Sequence, residues 1–298
     1  MVIISGSASR NLAKRIAEAL SLPLGNPEIS KFSNDELRVR ITESKTGHAA
    51  IVVQSLSAPV DSHILEFNFI CDALHRMGVT DIYPVIPWLA YSKQDKVFRP
   101  GEPLSVKVVA KILQVVPMKR LYTFDLHNTA ILGFFDIPVT NLTARPLFVE
   151  YFRKRISRQT VVVAPDAGAI KISTLFAQEL GVPAAYIDKK RDLVTGEVSV
   201  SGLSRKVKDA EVILLDDMIV TGGTIRETAK FLKTRGVGTI TVAATHHLYV
   251  PGAQEAIEAS GVDHVVVTDT VEPAVKSDKL HVLSVSGIIA EALSELLN

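Results

Sequence analysis

The residues with the most chemical content run from Val212 to Ile225: an apolar stretch, the adjacent acids Asp216 and Asp217, then Val220 and the turn Thr221-Gly222-Gly223-Thr224. Val212 to Leu215 has the pattern of a buried parallel strand. From Thr224 onward, Ile225, Thr228, Ala229 and Leu232 share one helical face until Gly236 ends it. A turn between a strand end and a helix start presents free backbone N–H groups and the positive end of the helix dipole. Gly222 and Gly223 have no Cβ to block an approaching phosphate, and Thr221 and Thr224 add hydroxyl donors. The two acids would repel a phosphate in direct contact, so ribose hydroxyls or a hydrated cation suit them better. Phosphate on the turn and sugar on the acids describe a site for ribose 5-phosphate. Other phosphate loops fit worse: none of the 17 glycines is followed by the lysine of a Walker A loop, and no G-x-G-x-x-G opens a helix.

The elements around this turn alternate along the whole chain. Strands are expected at Val2 to Ser5, Ile51 to Gln54, Ile82 to Ile86, Arg120 to Thr123 and Val161 to Ala164. Further ones are expected at Ala184 to Ile187, Glu211 to Leu215, Thr239 to Thr245 and His264 to Thr268. Helical patterns lie between them at Ser62 to Met77, Ser105 to Val116 and Ile170 to Leu180. Repeated βαβ units of this kind give an α/β fold with mostly parallel sheets covered by helices. A break falls near Asn141 to Pro146, so the expected domains are 1–143 and 144–298. A closing helix carries a stripe of Ile288, Ile289, Ala292, Leu293, Leu296 and Leu297, suited to packing on the body or crossing to the first domain.

Bulk properties suit a soluble metabolic enzyme. At 298 residues the chain exceeds a typical single domain. Its 33 basic and 32 acidic residues nearly cancel, which argues against nucleic acid or a strongly charged membrane surface as partner. Cys71 stands beside Ile70 and Leu74 in a helical pattern and reads as a small buried hydrophobe. The start lacks a basic signal-peptide region and no stretch approaches a membrane span, so a cytoplasmic location is expected.

The Val212 to Ile225 run resembles the phosphoribosyl pyrophosphate binding signature of type I phosphoribosyltransferases and of ribose-phosphate diphosphokinases. Further segments resemble the diphosphokinases in the same order: Phe32-Ser-Asn-Asp-Glu36, Val85-Ile-Pro-Trp-Leu-Ala-Tyr-Ser-Lys-Gln-Asp-Lys96, Phe124-Asp-Leu-His127, Ala164-Pro-Asp-Ala-Gly168 and Asp188-Lys-Lys-Arg191. The resemblance covers essentially the whole chain. It implies two similar phosphoribosyltransferase-type, Rossmann-like domains and a Mg²⁺-dependent transfer of diphosphate from ATP to the C1 hydroxyl of ribose 5-phosphate, releasing AMP.

Residue by residue, the resemblance assigns Lys189 and Arg191 as the catalytic cations on a mobile loop, and His127 and Asp166 as the metal ligands. Asp216, Asp217, Val220, Thr221, Gly222, Gly223 and Thr224 form the ribose 5-phosphate loop. Phe32, Asn34, Asp35 and Glu36, with Lys93 and Gln94, are the ATP contacts. In the family the Phe32 loop completes the nucleotide pocket of a neighbouring subunit, which implies a homo-oligomer of at least two copies with a shared ATP site. Taken alone, Lys189-Lys190-Arg191 would read as a solvated surface and His127 as a structural residue. His246-His247 reads as structural or substrate-proximal, because adjacent histidines on a strand point apart.

Two positions depart from the family pattern. Lys93 stands where the family has arginine, and a point charge replaces a flat bidentate group. Val220 stands where many relatives carry an acid. The compact length and the Thr-Gly-Gly-Thr loop look archaeal-type. Two rival readings stay open at this level: a phosphoribosyltransferase that consumes the same product, and a non-catalytic homologue that regulates a true synthetase.

Overall fold

Continuous aliphatic runs form the centres of two separate parallel sheets, because strands covered on both faces need apolar residues on both sides. The computed structural model describes residues 1–43, 47–191 and 198–297, with backbone alone at 188–191 and 198–201. It divides into two α/β units. Unit 1 is Met1–Thr143 with Asp269–Glu272 and the segment from Ser284 onward; unit 2 is Ala144–Thr268 with Pro273–Leu283.

In unit 1 the chain runs through β1 (Val2–Ser5), α1 (Arg10–Leu20), β2 (Leu24–Gly25), β3 (Glu28–Lys31), β4 (Leu37–Arg40) and β5 (Ala49–Val53). It continues through α2 (Val60–Arg76), β6 (Asp81–Val85), α3 (Ser105–Leu113), β7 (Leu121–Phe124) and β8 (Val139–Leu142). The six-stranded sheet has the order β2-β1-β5-β6-β7-β8, while β3 and β4 form a separate antiparallel hairpin. Its core gathers Ile4, Val52, Phe67, Ile70, Leu74 and Ile82, with Cys71 fully buried among them. Burial pushes the Cys71 thiol well above its usual range, so it stays a protonated, inert core group.

Unit 2 contains α4 (Arg145–Arg153), β9 (Thr160–Ala164), α5 (Ile170–Leu180), β10 (Ala184–Arg191), β11 (Val198–Leu203) and β12 (Glu211–Ile219). Then follow α6 (Gly223–Thr234), β13 (Thr239–His247), α7 (Ala253–Glu258), β14 (His264–Thr268) and β15 (Leu280–Leu283). Its sheet has the order β11-β10-β9-β12-β13-β14-β15, parallel except for the β10–β11 pair. Helix α6 buries Ile225, Thr228, Ala229 and Leu232 on this sheet, the face that its spacing predicts. Ile225 and Leu232 each contribute about 1.5–3 kcal/mol of burial. The closing helix α8 (Ser286–Ser294) belongs to unit 1, where it packs on α1 and buries Ile289, Ala290 and Leu293. Leu296 and Leu297 lie past its end.

Two strands run further than their apolar residues suggest. β12 continues through Asp216 and Asp217 to Ile219, because its pairing with β13 persists as Met218 with His246 and Ile219 with His247. β10 likewise extends past Ile187 to Arg191 by pairing with β11. The unexpected strands β2, β8, β11 and β15 are edge strands or next to an edge, and the β3–β4 hairpin is mostly exposed. Such strands need little apolar sequence, which is why hydrophobic pattern misses them. No described helix is long and apolar enough to cross a membrane.

Candidate active site

Strands β10, β9 and β12 are consecutive neighbours in unit 2, and the chain leaves the carboxyl ends of β9 and β12 into Asp166 and the Thr221 turn. This edge is where open α/β sheets place ligands. On β12, Asp216 and Asp217 are half-buried. The Asp216 carboxyl is pushed up to about 7 by burial, then by the neighbouring carboxylates of Asp217 and Asp166. Asp166 Oδ1 accepts the Ala169 N–H at 3.1 Å, just before α5 begins. The fold therefore gathers Asp166, Asp216 and Asp217, which are 50 or more positions apart in sequence for Asp166 and its partners. Among the described residues no group of three or more acids, histidines or cysteines is arranged to hold a metal ion, so a hydrated divalent cation here would keep most of its waters and take few protein ligands.

The turn that follows has a closed back and an open front. Gly222 adopts φ +72°, and a Cβ there would lie 2.6 Å from Ile257 Cγ1 on α7, so both its conformation and its packing require glycine. At Gly223 the nearest atom to such a Cβ is Thr221 Oγ1 at 3.6 Å. The Gly222 carbonyl accepts the Arg226 N–H at 2.8 Å, and no side chain caps α6. The N–H groups of Gly223, Thr224 and Ile225 thus have no acceptor within the helix. Thr221 and Thr224 are exposed and Val220 is half-buried. Hydroxyls and amides accordingly face outward together at the helix N-terminus, an anion-binding arrangement.

Lys189 and Arg191 differ from expectation in backbone setting. They sit on β10, paired with Val200 and Val198, after a ladder irregularity between Asp188 and Lys189. Their side chains, and the loop residues 192–197 expected to be mobile, lie outside the described residues.

In unit 1 the expected residues fall on three loops. Phe32 to Glu36 caps the β3–β4 hairpin, closed by the Phe32 N–H to Glu36 O bond of 2.8 Å, with Asp35 at φ +69°. Phe32 is 52 % exposed with Arg38 over its ring at 5.9 Å; Asn34 and Glu36 are also exposed. Lys93 and Gln94 follow β6, where Gln94 Oε1 accepts the Ser105 hydroxyl at 2.6 Å. His127 is exposed just after β7. The loops of Lys93 and His127 are joined by the Asn128 Nδ2 to Asp95 Oδ2 hydrogen bond of 2.6 Å. The hairpin belongs to a different sheet.

His246 and His247 are fully buried at the end of β13. His247 Nδ1 accepts the Tyr249 N–H at 2.9 Å, which leaves Nε2–H to donate to Gln254 Oε1 at 3.2 Å. Burial lowers its pKa, so it is a neutral structural residue. Sequence reasoning passed over Asn128 and gave Asp95, inside the Val85 to Lys96 motif, no role of its own. The signal available for Asn128 was its place before a helical turn, the preference of an N-cap.

Together, the two parallel sheets and the open turn define a protein built from two phosphoribosyltransferase-type α/β domains. Residues 1–116 match the N-terminal domain of ribose phosphate pyrophosphokinase, and residues 139–275 match the phosphoribosyl transferase domain. The ribose-phosphate pyrophosphokinase of Thermotoga maritima is 38 % identical over 301 residues, covering 99 % of this chain and 95 % of that protein. That of Campylobacter jejuni is 35 % identical over 291 residues, covering 98 % and 94 %. The crystal structure of phosphoribosylpyrophosphate synthetase from Mycobacterium smegmatis superposes with a TM-score of 0.91 at 33 % identity, covering 99 % of this chain and 98 % of that one. The chain belongs to the ribose-phosphate pyrophosphokinase family, whose members are ATP-dependent diphosphotransferases that require a metal ion. These relatives are bacterial, so the archaeal-type likeness expected from length and loop finds no support in them.

Proposed function

We propose that this chain transfers the diphosphoryl group of ATP to the C1 hydroxyl of ribose 5-phosphate, with Mg²⁺ as its cofactor. The C1 oxygen attacks the β-phosphorus, the bond from that phosphorus to the α–β bridging oxygen breaks, and AMP leaves. The hydroxyl proton is lost, and the product is 5-phosphoribosyl 1-diphosphate. The observation that carries this reading is the open turn of unit 2, with its N–H and hydroxyl donors outward, next to the acids Asp216 and Asp217 on β12.

Thr221, Gly222, Gly223 and Thr224 hold the 5-phosphate, with Val220 leaving that loop without the acid of many relatives. Asp216 and Asp217 hold the ribose hydroxyls, which fixes C1 for in-line attack. Phe32, Asn34, Asp35 and Glu36 of one copy and Lys93 and Gln94 of another receive ATP, so the working unit is a homo-oligomer with a shared ATP site. Lys189 and Arg191 meet the negative charge that develops on the transferred group. His127 and Asp166 are the protein groups that the family resemblance assigns to Mg²⁺, which usually keeps several waters and needs few protein ligands. Bound Mg²⁺ would neutralise phosphate charge and polarise the phosphorus under attack. A cytoplasmic location, with neither nucleic acid nor membrane as partner, completes the reading.

A phosphoribosyltransferase would not account for the match of residues 1–116, and a non-catalytic homologue would have no use for Lys189, Arg191, His127 and Asp166 together. Measuring AMP release from ATP, with and without ribose 5-phosphate and Mg²⁺, tests the proposal. AMP should form in the presence of both and of no nucleobase. Absence of AMP under that condition would refute it.

A further inference from the structure

The loops that follow β6 and β7 carry the residues assigned above to nucleotide and metal. The sheet beneath them joins these two strands over a shorter registered stretch than it joins β5 and β6, with the Ile86 N–H to Tyr122 O bond of 2.8 Å at its end. β6 and β7 share the registered pair Val85 with Tyr122, whereas β5 and β6 pair from Ala49 with Asp81 to Val53 with Val85. Each loop has an anchor of its own. Gln94 bonds the Tyr91 carbonyl at 2.8 Å and the Ser105 hydroxyl at 2.6 Å. Asp125 bonds the Leu142 carbonyl at 2.9 Å, and Leu126 bonds Asn141 Oδ1 at 3.1 Å.

Asn128 spans the gap between them. Its Oδ1 accepts the Ala130 N–H at 3.0 Å, capping the short 3₁₀ helix Thr129–Phe134. Its Nδ2 donates to Asp95 Oδ2 at 2.6 Å, two residues from Lys93 and next to Gln94. The two bonds use both ends of the amide, so its orientation is determined: oxygen to the cap, nitrogen to the carboxylate. A hydrogen bond to an ionised acceptor is the stronger kind, and it is half-shielded from water here.

We propose that Asn128 is a positioning residue for the transfer reaction, holding Asp95 so that Lys93 and Gln94 keep a set distance from His127 and one ATP meets both loops. This rests on the assignment of Lys93 and Gln94 to ATP. A loop pair left untied would sample many separations, and ATP binding would have to select the competent one. Ribose 5-phosphate, bound by unit 2, would be indifferent to the tie.

The test compares Asn128→Ala, Asp95→Ala, the double variant, Asn128→Ser and Lys93→Ala by calorimetric ATP binding, steady-state kinetics and thermal melting. Serine retains the helix cap but is too short to reach Asp95. Each single variant of the pair should weaken ATP binding and raise the KM for ATP about tenfold, the size of one charge-assisted hydrogen bond. The KM for ribose 5-phosphate should stay within about twofold, and the double variant should be no worse than the weaker single. Asn128→Ser should show the same ATP defect at the wild-type melting temperature, and it decides the matter if Asn128→Ala folds poorly. Wild-type ATP affinity in Asn128→Ser, an equal rise in both KM values, or additive effects in the double variant would overturn the tie. Should Lys93→Ala leave ATP affinity unchanged, the ATP assignment itself falls; a defect in Lys93→Ala without one in the Asn128 and Asp95 variants removes the tie alone.

Discussion

Two strand-to-helix junctions in this molecule start from the same topology and end in opposite chemistry. After β1, the Ser7 N–H and hydroxyl both donate to the carboxylate of Glu66, at 2.6 and 2.7 Å. Gln54 donates its amide to the same carboxylate at 2.9 Å and accepts the Ala8 N–H at 3.1 Å. Glu66 is 3 % exposed, so the junction in unit 1 carries its own anion. After β12, the junction in unit 2 has no side-chain cap, and Thr221 and Thr224 are exposed. The difference teaches that a helix N-terminus is a binding site only where the protein leaves its donors unspent. An internal carboxylate turns the same geometry into a structural clamp.

The largest effect concerns the cations proposed for catalysis. Lys189→Ala should lower kcat by about a thousandfold while ribose 5-phosphate binding is largely retained, because a contact made in the transition state alone leaves ground-state affinity intact. Near-normal turnover of that variant would remove Lys189 from the chemistry. The closed junction is the place to break the contrast. Glu66→Ala leaves the buried Gln54 amide and the partly buried Ser7 donors unmatched, and should cost about 3 kcal/mol of unfolding free energy. Millimolar sulfate or phosphate should recover part of that loss in thermal melts, and no recovery would mean that the unit 1 junction is not an anion site at all.

Gly223→Val probes the open front directly. A Cβ at this position meets no atom closer than 3.6 Å, so the melting temperature should change little, while the KM for ribose 5-phosphate should rise by about a hundredfold, the scale of two lost hydrogen bonds to a charged group. An unchanged KM would place the phosphate elsewhere. The smallest effect sharpens the electrostatics. Asp216 titrates at about 7 in the folded chain against an ordinary 3.8, so between those values the folded state binds more protons than the unfolded one. Stability should therefore fall as pH rises through that window. Asp216→Asn should be more stable than wild type at pH 8, by about 3 °C in melting temperature, and no different at pH 4. A wild-type curve that rises between pH 4 and 7 relative to Asp216→Asn would contradict the raised carboxyl.

Much of the fold could be read from the chain because local pattern and buried environment agree. Val161 to Ala164 and Val212 to Leu215 are apolar without interruption and became central strands of unit 2. Thr221 to Thr224 announced its turn because its glycine and hydroxyl content serve one stretch of backbone. Asp216 and Asp217 were read as lying past a strand end, but hydrogen bonds to β13 carry the strand through them. Strand length there is set by a neighbour, which no local pattern records. Asp95 and Asn128 are 33 positions apart, and Ser7 and Glu66 are 59 apart, so neither pair leaves a periodic trace.

The amino-acid sequence by itself determined the α/β alternation, the two-domain scale and the residue types of the phosphate turn, since each depends on neighbours within a few positions. Tertiary structure alone decided which helix N-terminus keeps its donors facing outward and which is filled by Glu66. It also decided that Asp166 comes close enough to raise the Asp216 carboxyl. Both outcomes depend on side chains from distant segments meeting across a sheet edge, and the unfavourable closeness of like charges there is imposed by the packing of the whole unit.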